Sequence, residues 1–378
     1  MISRATTEES GLLFIHSHPR AEHPAGFSGV DSGSLEALGE TIAPMLDGPF
    51  AAAVVHEASW AGATWQSGRI FPIARIVSVG AGYRFLSTVP MCEDSALDAR
   101  QRDALGIVHD RIRALAVGLV GCGGLGSPIA EQLVRMGAAG VVLLDGDVVD
   151  TDSNVRRVFG STAADLRAAT PPPKVDVVGR HLDQLGLDTV VERVKGDVRV
   201  DAFRALLDTD VVICGTDTHG SRAIVNELPS AYLLPVIDVG VRVGSRGPSL
   251  NGLLAELRLL TPSRPCLWCR GAINADTIRA ENLPAEDRER LQKEGYVVEG
   301  VGEPVPSVVA LTVLGAGMAT CALLALISDD GDVIASGYWF DGMFGDAREA
   351  EPKEPRADCR CQQQHGLGDT AVIPFIPG

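Results

Sequence analysis

A glycine loop set between an apolar strand and a helix constrains this chain more than any other feature. The run Leu115 to Val120 leads into Gly121-Cys122-Gly123-Gly124-Leu125-Gly126-Ser127, and Ile129 to Met136 carries a helical pattern. Glycines at Gly121, Gly123, Gly124 and Gly126 permit a tight turn and close backbone approach, so N–H groups at the helix start can hold phosphate. The run Val141 to Leu144 then delivers Asp145, 19 residues beyond Gly126, where a carboxylate at a strand end can accept hydrogen bonds from ribose hydroxyls. The bland alternative is a glycine-rich turn without a ligand, and the flanking strand and helix weigh against it. These residues alone suit a nicotinamide dinucleotide as well as ATP.

Around the loop the pattern alternates. Ala114 to Val120, Gly140 to Leu144, Thr189 to Val191, Asp210 to Cys214 and Val236 to Ile237 read as short buried strands, and helical segments follow the first four. That alternation predicts an α/β fold with a Rossmann-like, doubly wound, mostly parallel sheet. Residues 1–90 read as a smaller α+β domain ahead of it, with strands at Phe50 to His56 and near Ile70 to Phe85 and a helix over Ser34 to Leu46. The polar stretch Cys92 to Asp110 marks a linker or boundary helix at 91–110, and 111–378 forms the main domain. Ala347 to Asp358, rich in Pro and charge, is expected to be a surface loop.

A net charge of −16 argues against nucleic acid or an anionic membrane as the main partner, because both would be repelled. Met1 to Ser10 is polar and the apolar run Leu12 to Ile15 is too short for a signal peptide, so a cytoplasmic location is expected. In a reducing compartment, eight cysteines point to metal binding, catalysis or burial and not to a disulfide framework. Val308 to Ile327 runs 20 residues without a charge, long enough to span a bilayer, but Gly315, Gly317, Thr312 and Thr320 dilute it. A buried helix is expected there, with Ser307 as its N-cap.

What separates ATP from a nicotinamide cofactor lies downstream. Leu144-Asp145-Gly146-Asp147-Val148-Val149, then Asn154-Val155-Arg156-Arg157, then Lys174 behind three prolines, then Thr216-Asp217 follow the glycine loop in that order. The series resembles the ThiF/MoeB family and the adenylation domains of ubiquitin-activating enzymes, over about Ala99 to Cys361. The resemblance implies that the loop glycines, Asp145 and Asp147 bind the nucleotide, with Asp145 on the ribose. It implies further that Asn154, Arg157 and Lys174 hold the ATP phosphates and that Asp217 coordinates Mg2+. Arg100-Gln101 looks like the family's Arg-Gln pair, whose arginine reaches the ATP of a neighbouring subunit; Arg100 is then an arginine finger in a homodimer. Elementary chemistry asks for such a set. Joining a carboxylate to the α-phosphate expels pyrophosphate, so cations and Mg2+ must neutralise the reacting phosphates and hold them in line. Taken singly, Arg157 reads as a solvated charge, Lys174 as a surface residue at a helix start and Asp217 as a turn residue.

Cys266-Leu267-Trp268-Cys269 is a C-x-x-C knuckle, and Cys359-Arg360-Cys361 supplies a second pair 90 residues after Cys269. Four thiolates make a closed, structural Zn2+ site. The resembling family carries C-x-x-C in both places, so the C-x-C here departs from it and leaves His365 as an alternative fourth ligand. Two unrelated reduced pairs are the bland reading. The family's thioester-forming cysteine has no counterpart between Arg270 and Val305. Cys122, Cys214 and Cys321 are expected in the core, which leaves Cys92 as a weak acceptor candidate.

Near the start, His16-Ser17-His18 follows an apolar run and Ser28-Gly29-Val30-Asp31 comes soon after. Histidines two apart on a strand share a face, and an aspartate from a following helix can complete a Zn2+ site with water in the fourth position. The array resembles JAMM (JAB) metalloproteases, which implies zinc on His16, His18 and Asp31 and an oxyanion role for Ser28. That family needs a glutamate well upstream, and only Glu8 and Glu9 precede the histidines. The unit is therefore expected to be incomplete at Met1 or catalytically inactive, and a surface His pair without metal is the bland reading. The reading as a whole is an adenylyltransferase that uses ATP, Mg2+ and Zn2+ on the C-terminal carboxylate of a small ubiquitin-like or sulfur-carrier protein. A NAD-dependent oxidoreductase and an inactive scaffold binding a ubiquitin-like tail are its rivals.

Overall fold

The computed structural model describes residues 11–18, 26–46, 48–56, 59–80, 82–87, 95–200, 202–246, 249–296, 301, 306–328, 337–349, 353–371 and 373. The chain divides into two compact units, one of Met1–Ser78 with Arg84–Met91 and one of Val79–Tyr83 with Cys92–Gly378. Cys92, Glu8 and Glu9 lie outside the described residues.

In the first unit β1 (Leu12–Ser17) runs parallel to β2 (Phe50–His56), and the crossover that parallel pairing requires is made by α1 (Gly29–Ile42). Strands β3 (Ser59–Gln66) and β4 (Arg69–Ile73) continue antiparallel, so the sheet order is β1-β2-β3-β4. Leu35, Phe50, Ala52, Ala63 and Trp65 form the core. Gly39 lets α1 lie on Trp65, whose ring an added Cβ would meet at 2.4 Å. The helix starts at Gly29, earlier than the predicted Ser34. The reason is a reciprocal cap: the Asp31 amide donates to Ser28 Oγ and the Ser28 amide donates to Asp31 Oδ2. It also stops at Ile42, with only a 3-10 turn over Ala43–Met45. Strands β5 (Val77–Val79) and β6 (Tyr83–Phe85) form a separate pair.

The second unit begins with two short helices, α2 (Ala99–Leu105) and α3 (Ile107–Arg113), which occupy most of the stretch read as a linker. Then come β7 (Ala116–Val120), α4 (Gly126–Arg135), β8 (Gly140–Leu144), α5 (Asp152–Arg157), α6 (Lys174–Asp183), β9 (Val190–Val194), β10 (Val211–Cys214), α7 (His219–Val225) and α8 (Leu228–Ala231). A long hairpin of β11 (Val236–Arg246) and β12 (Ser249–Leu260) follows. Next are α9 (Leu267–Arg270), α10 (Ala275–Glu281), α11 (Ala285–Lys293), α12 (Val309–Leu326), β13 (Gly337–Asp341), β14 (Asp346–Glu349) and α13 (Arg360–Gln363).

One eight-stranded sheet runs β14-β13-β12-β11-β10-β7-β8-β9. The five strands from β11 to β9 are parallel, and β12, β13 and β14 extend the sheet antiparallel. The predicted doubly wound core is therefore present, joined to an antiparallel half that was not predicted.

Several boundaries move. The first strand starts at Ala116, not Ala114; the third runs to Val194, not Val191; the fifth reaches Arg246, not Ile237. Helix α4 spans Gly126–Arg135 and not Ile129 to Met136, because it opens inside the glycine loop. The segment after β9 is a 3-10 helix, Ala202–Leu206. Strand β14 takes the first residues of the expected loop Ala347 to Asp358 by pairing with β13. Helix α12 packs on α4, β11 and β12; it has the length and composition of a membrane span, and half of it is buried inside the protein. Its N-cap is Val308, with no side-chain bond, so Ser307 does not cap it. Cys321 is exposed on α12 and not in the core as expected, whereas Cys122 and Cys214 are buried.

Candidate active site

The ends of β7, β8, β9 and β10 open onto one cleft of about 680 Å³, the place where a parallel sheet of this kind receives ligands. Gly121, Gly123 and Gly124 line it. Gly121 has φ +93°, and a Cβ on Gly126 would stand 1.7 Å from the Gly121 carbonyl oxygen, so the turn requires glycine at both ends. Gly126 works by that closeness and does not itself line the cleft. A Cβ on Gly123 would meet nothing within 4 Å, which leaves that backbone open to a ligand. At Gly124 a Cβ would press on Arg157 Cβ at 3.1 Å, so the missing side chain lets the arginine lie across the loop.

Asp145 ends β8. Its Oδ2 accepts from the Cys122 amide at 2.6 Å and its Oδ1 from the Asp147 amide at 2.8 Å. Each oxygen keeps a further lone pair, and the residue lines the cleft. Burial pushes this carboxyl above its usual value, opposed by the Lys174 charge and the two amides. The three prolines hold an extended segment beside Val148, with the Val149 amide on Pro172 O at 2.8 Å, and so deliver Lys174 at the start of α6. Lys174 is 8% exposed, and its Nζ donates to Asp147 Oδ2 at 2.6 Å. Asp147 thus serves first as the lysine's counter-ion.

Arg157 lines the cleft, and its Nε is buried with no hydrogen-bond partner. Its Nη2 donates to Asn154 Oδ1 at 3.3 Å. Asn154, 2% exposed, does not line the cleft and reaches it only through Arg157. Asp217 is exposed at the rim, directly before α7. Arg100 is exposed on α2 and is not among the lining residues, while its neighbour Gln101 donates to Arg135 O at 2.7 Å.

The cysteine pairs meet. Sγ separations are 3.7 Å for Cys266 and Cys269, 3.6 Å for Cys266 and Cys359, and 3.8 Å for Cys269 and Cys361. A tetrahedron of thiolates at the usual Zn–S length has edges of about 3.8 Å, so the set fits zinc as it stands. His365 is exposed and lies outside the cluster. Contact with Cys361 pushes Cys266 up, and the same contact holds Cys361 down at about 5. Asn226, at the end of α7, fixes the knuckle by accepting from the Leu267 amide at 2.6 Å.

A family model described as the ThiF family matches residues 99–361. The chain belongs to the ThiF family. This ThiF-family chain is 26% identical over 279 residues to ubiquitin-like modifier-activating enzyme 5 of Drosophila mojavensis, which covers 70% of the chain and 63% of that relative. It is 30% identical over 152 residues to the sulfur carrier protein ThiS adenylyltransferase of Bacillus subtilis (strain 168), covering 40% and 42%. The chain therefore spans less than two thirds of either relative. Among solved structures, E. coli MccB with MccA-N7isoASN aligns at TM-score 0.54 and 15% identity, covering 71% of this chain and 75% of that one. MccB with ATP aligns at 0.52 and 15%, covering 72% and 75%. At that identity the likeness is one of fold.

ThiF-family membership brings attention to cleft residues that the sequence reading missed. Lys195, Asp197 and Arg199 follow β9, and Arg222, Arg242 and Glu256 come from α7, β11 and β12. The first three had a signal, since every parallel strand of such a sheet ends at the ligand face. Arg242 and Glu256 depend on the hairpin, whereas Arg222 stands on the helix that follows β10. Asp238, fully buried, sits between Arg222 Nε at 3.1 Å and Arg258 Nη1 at 2.9 Å, and Arg258 Nη2 pairs with Glu256 at 2.6 Å.

In the first unit of this ThiF-family chain, His16, His18 and Asp31 come together, with ligand atoms within 4.8 Å of one another. Both His Nε2 atoms face Asp31 Oδ1, at 2.8 and 3.4 Å. The helix cap occupies Oδ2, so Oδ1 is the oxygen left for a metal. Burial acts to raise the Asp31 carboxyl, but its bonds to Ser28 and His16 and the charge of His18 prevail and hold it at about 2. Ser28 Oγ accepts the helix-capping bond and keeps its own proton to donate.

Proposed function

We propose that this chain is an Mg2+-dependent adenylyltransferase that joins AMP to the C-terminal carboxylate of a small ubiquitin-like or sulfur-carrier protein. One observation carries the reading: Arg157 and Lys174 converge with Asp217 on the glycine-loop cleft, a cationic set that hydride transfer does not need. The fit for ATP rests on the open backbone at Gly123, the partnerless Arg157 Nε and the remaining lone pairs of Asp145. Asp145 would take the ribose hydroxyls, Arg157 and Lys174 the phosphates, and Asp217 the Mg2+. A carboxylate oxygen bonds to the α-phosphorus as the bond to the β-phosphate oxygen breaks, giving an acyl adenylate and pyrophosphate. Lys174 and Arg157 neutralise the charge that builds on the departing side, and Asn154 keeps Arg157 aimed.

The relatives named as an activating enzyme and an adenylyltransferase support the same reaction class. We place the chain in the cytoplasm as a homodimer in which Arg100 of one subunit completes the site of the other. Zn2+ on Cys266, Cys269, Cys359 and Cys361 is structural, and His16, His18 and Asp31 form a JAMM-like metal site. The deciding experiment is ATP–pyrophosphate exchange with a small protein ending in Gly-Gly from the native host. Exchange that depends on the carrier and falls in Asp217→Ala supports the assignment. ATP binding without exchange for any carrier, or preference for NAD(H) over ATP, sinks it.

A further inference from the structure

Helix α7 starts immediately after Asp217 and Thr218, so whatever fixes its first turn fixes the loop that bears Asp217. Two groups do so. Thr218 Oγ1 accepts from the Ser221 amide at 3.3 Å, the ordinary local cap. The second comes from far along the chain: Glu281, at the end of α10, accepts the His219 amide on Oε1 and the Gly220 amide on Oε2, both at 2.8 Å. A carboxylate spanning two successive amides satisfies donors that a helix start leaves free and adds favourable charge there.

Glycine at Gly220 leaves room for the approach, since an added Cβ would stand 3.3 Å from Glu281 Oε2 and 3.1 Å from Arg199 Cδ. The contact is stitched on both sides. Before α10, the Asn274 amide donates to His219 Nδ1 at 3.1 Å. After it, Asn282 Oδ1 accepts from Nη1 of Arg199, a cleft-lining residue, at 3.2 Å. Helix α10 begins six residues beyond Cys269.

We propose that Glu281 is a positioning residue for Mg2+ use: through the His219 and Gly220 amides it sets the place of the Asp217 carboxylate without touching metal or nucleotide. The inference rests on the adenylation reading. Glu281→Gln turns one acceptor oxygen into an N–H donor facing an amide N–H, while size and packing stay the same.

The test compares wild type, Glu281→Gln and Glu281→Asp as zinc-loaded full chains, by Mg2+ titration of pyrophosphate exchange, fluorescent-ATP binding without Mg2+, and hydrogen exchange over residues 217–220. Expected for Glu281→Gln is about a tenfold rise in the Mg2+ giving half-maximal exchange, Mg2+-free ATP binding within about twofold of wild type, and at least about tenfold faster amide exchange at 217–220. Glu281→Asp, which keeps two acceptor oxygens, is expected to recover most of the Mg2+ response. If Glu281→Gln matches wild type in Mg2+ response, or loses Mg2+-free ATP binding equally, the positioning role is overturned while adenylation stands. If wild type itself shows no Mg2+-dependent use of ATP, adenylation falls and takes the positioning role with it.

Discussion

Lys174 and Asp147 line the cleft as an ion pair. Asp147 belongs to the run that suggested nucleotide binding, yet in the fold it is the partner of Lys174 Nζ at 2.6 Å. We therefore expect Lys174→Ala to lower kcat for exchange by about 10²- to 10³-fold, as loss of a charge-stabilising donor does, and Asp147→Asn by about tenfold. The double variant should be no worse than Lys174→Ala within about threefold, and steady-state kinetics of all three would expose any independent role for Asp147. Asp165 offers a pH test away from the cleft. Burial alone would raise its carboxyl, but the Thr162 hydroxyl and amide and the Arg180 guanidinium outweigh this and hold it below its usual 3.8. A depressed carboxyl stabilises the fold above the unfolded value and loses that contribution as pH falls through 3.8 and below. Asp165→Asn should cost about 1 to 3 kcal/mol near neutral pH in urea unfolding, with the deficit shrinking toward about pH 3. The glycines, Asp145, Lys174 and the cysteines were legible because their tasks are local or are set by a short spacing. Arg242 and Glu256 were not, because each reaches the cleft only through the pairing of β11 with β12, and Arg222 is held there by Asp238 of β11.

At the scale of elements, the parallel half of the sheet was readable since its strands are short, apolar and separated by helices. The antiparallel half was hidden for a physical reason. Strand β12 alternates only in its second half, where buried Ala255, Leu257 and Leu259 flank Glu256 and Arg258, and β13 with β14 gain their place by edge pairing that no local pattern announces. Helix α12 was readable as buried but not by face: Val309, Val313 and Cys321 look outward while Leu311, Ala319 and Leu323 look inward, and a helix apolar all round gives no periodic cue to tell them apart. The cysteine cluster belongs to this scale because it ties α9 to α13. Chelation, or Cys359→Ser, should remove about 3 kcal/mol of stabilisation. In a unit of this size that is a fall of about 5 °C in Tm by differential scanning fluorimetry. His365→Ala should leave Tm and zinc content unchanged, as an exposed residue outside the cluster.

For the whole molecule the decisive claim is that one subunit completes the site of another. If Arg100 acts across a dimer, Arg100→Ala and Asp217→Ala are each inactive alone, yet random mixing gives half heterodimers with one intact site apiece. Exchange should then return to about a quarter of wild type, whereas an arginine acting within its own chain gives no recovery. The cysteine cluster also has a temporal side. Cys266 and Cys269 leave the ribosome 90 residues ahead of Cys359, and β13 and β14 lie in between. At usual synthesis rates the first pair waits about 5 to 18 s for the second. If the cluster takes zinc, capture must wait for the second pair, and a nascent chain stalled anywhere in that interval holds half a site.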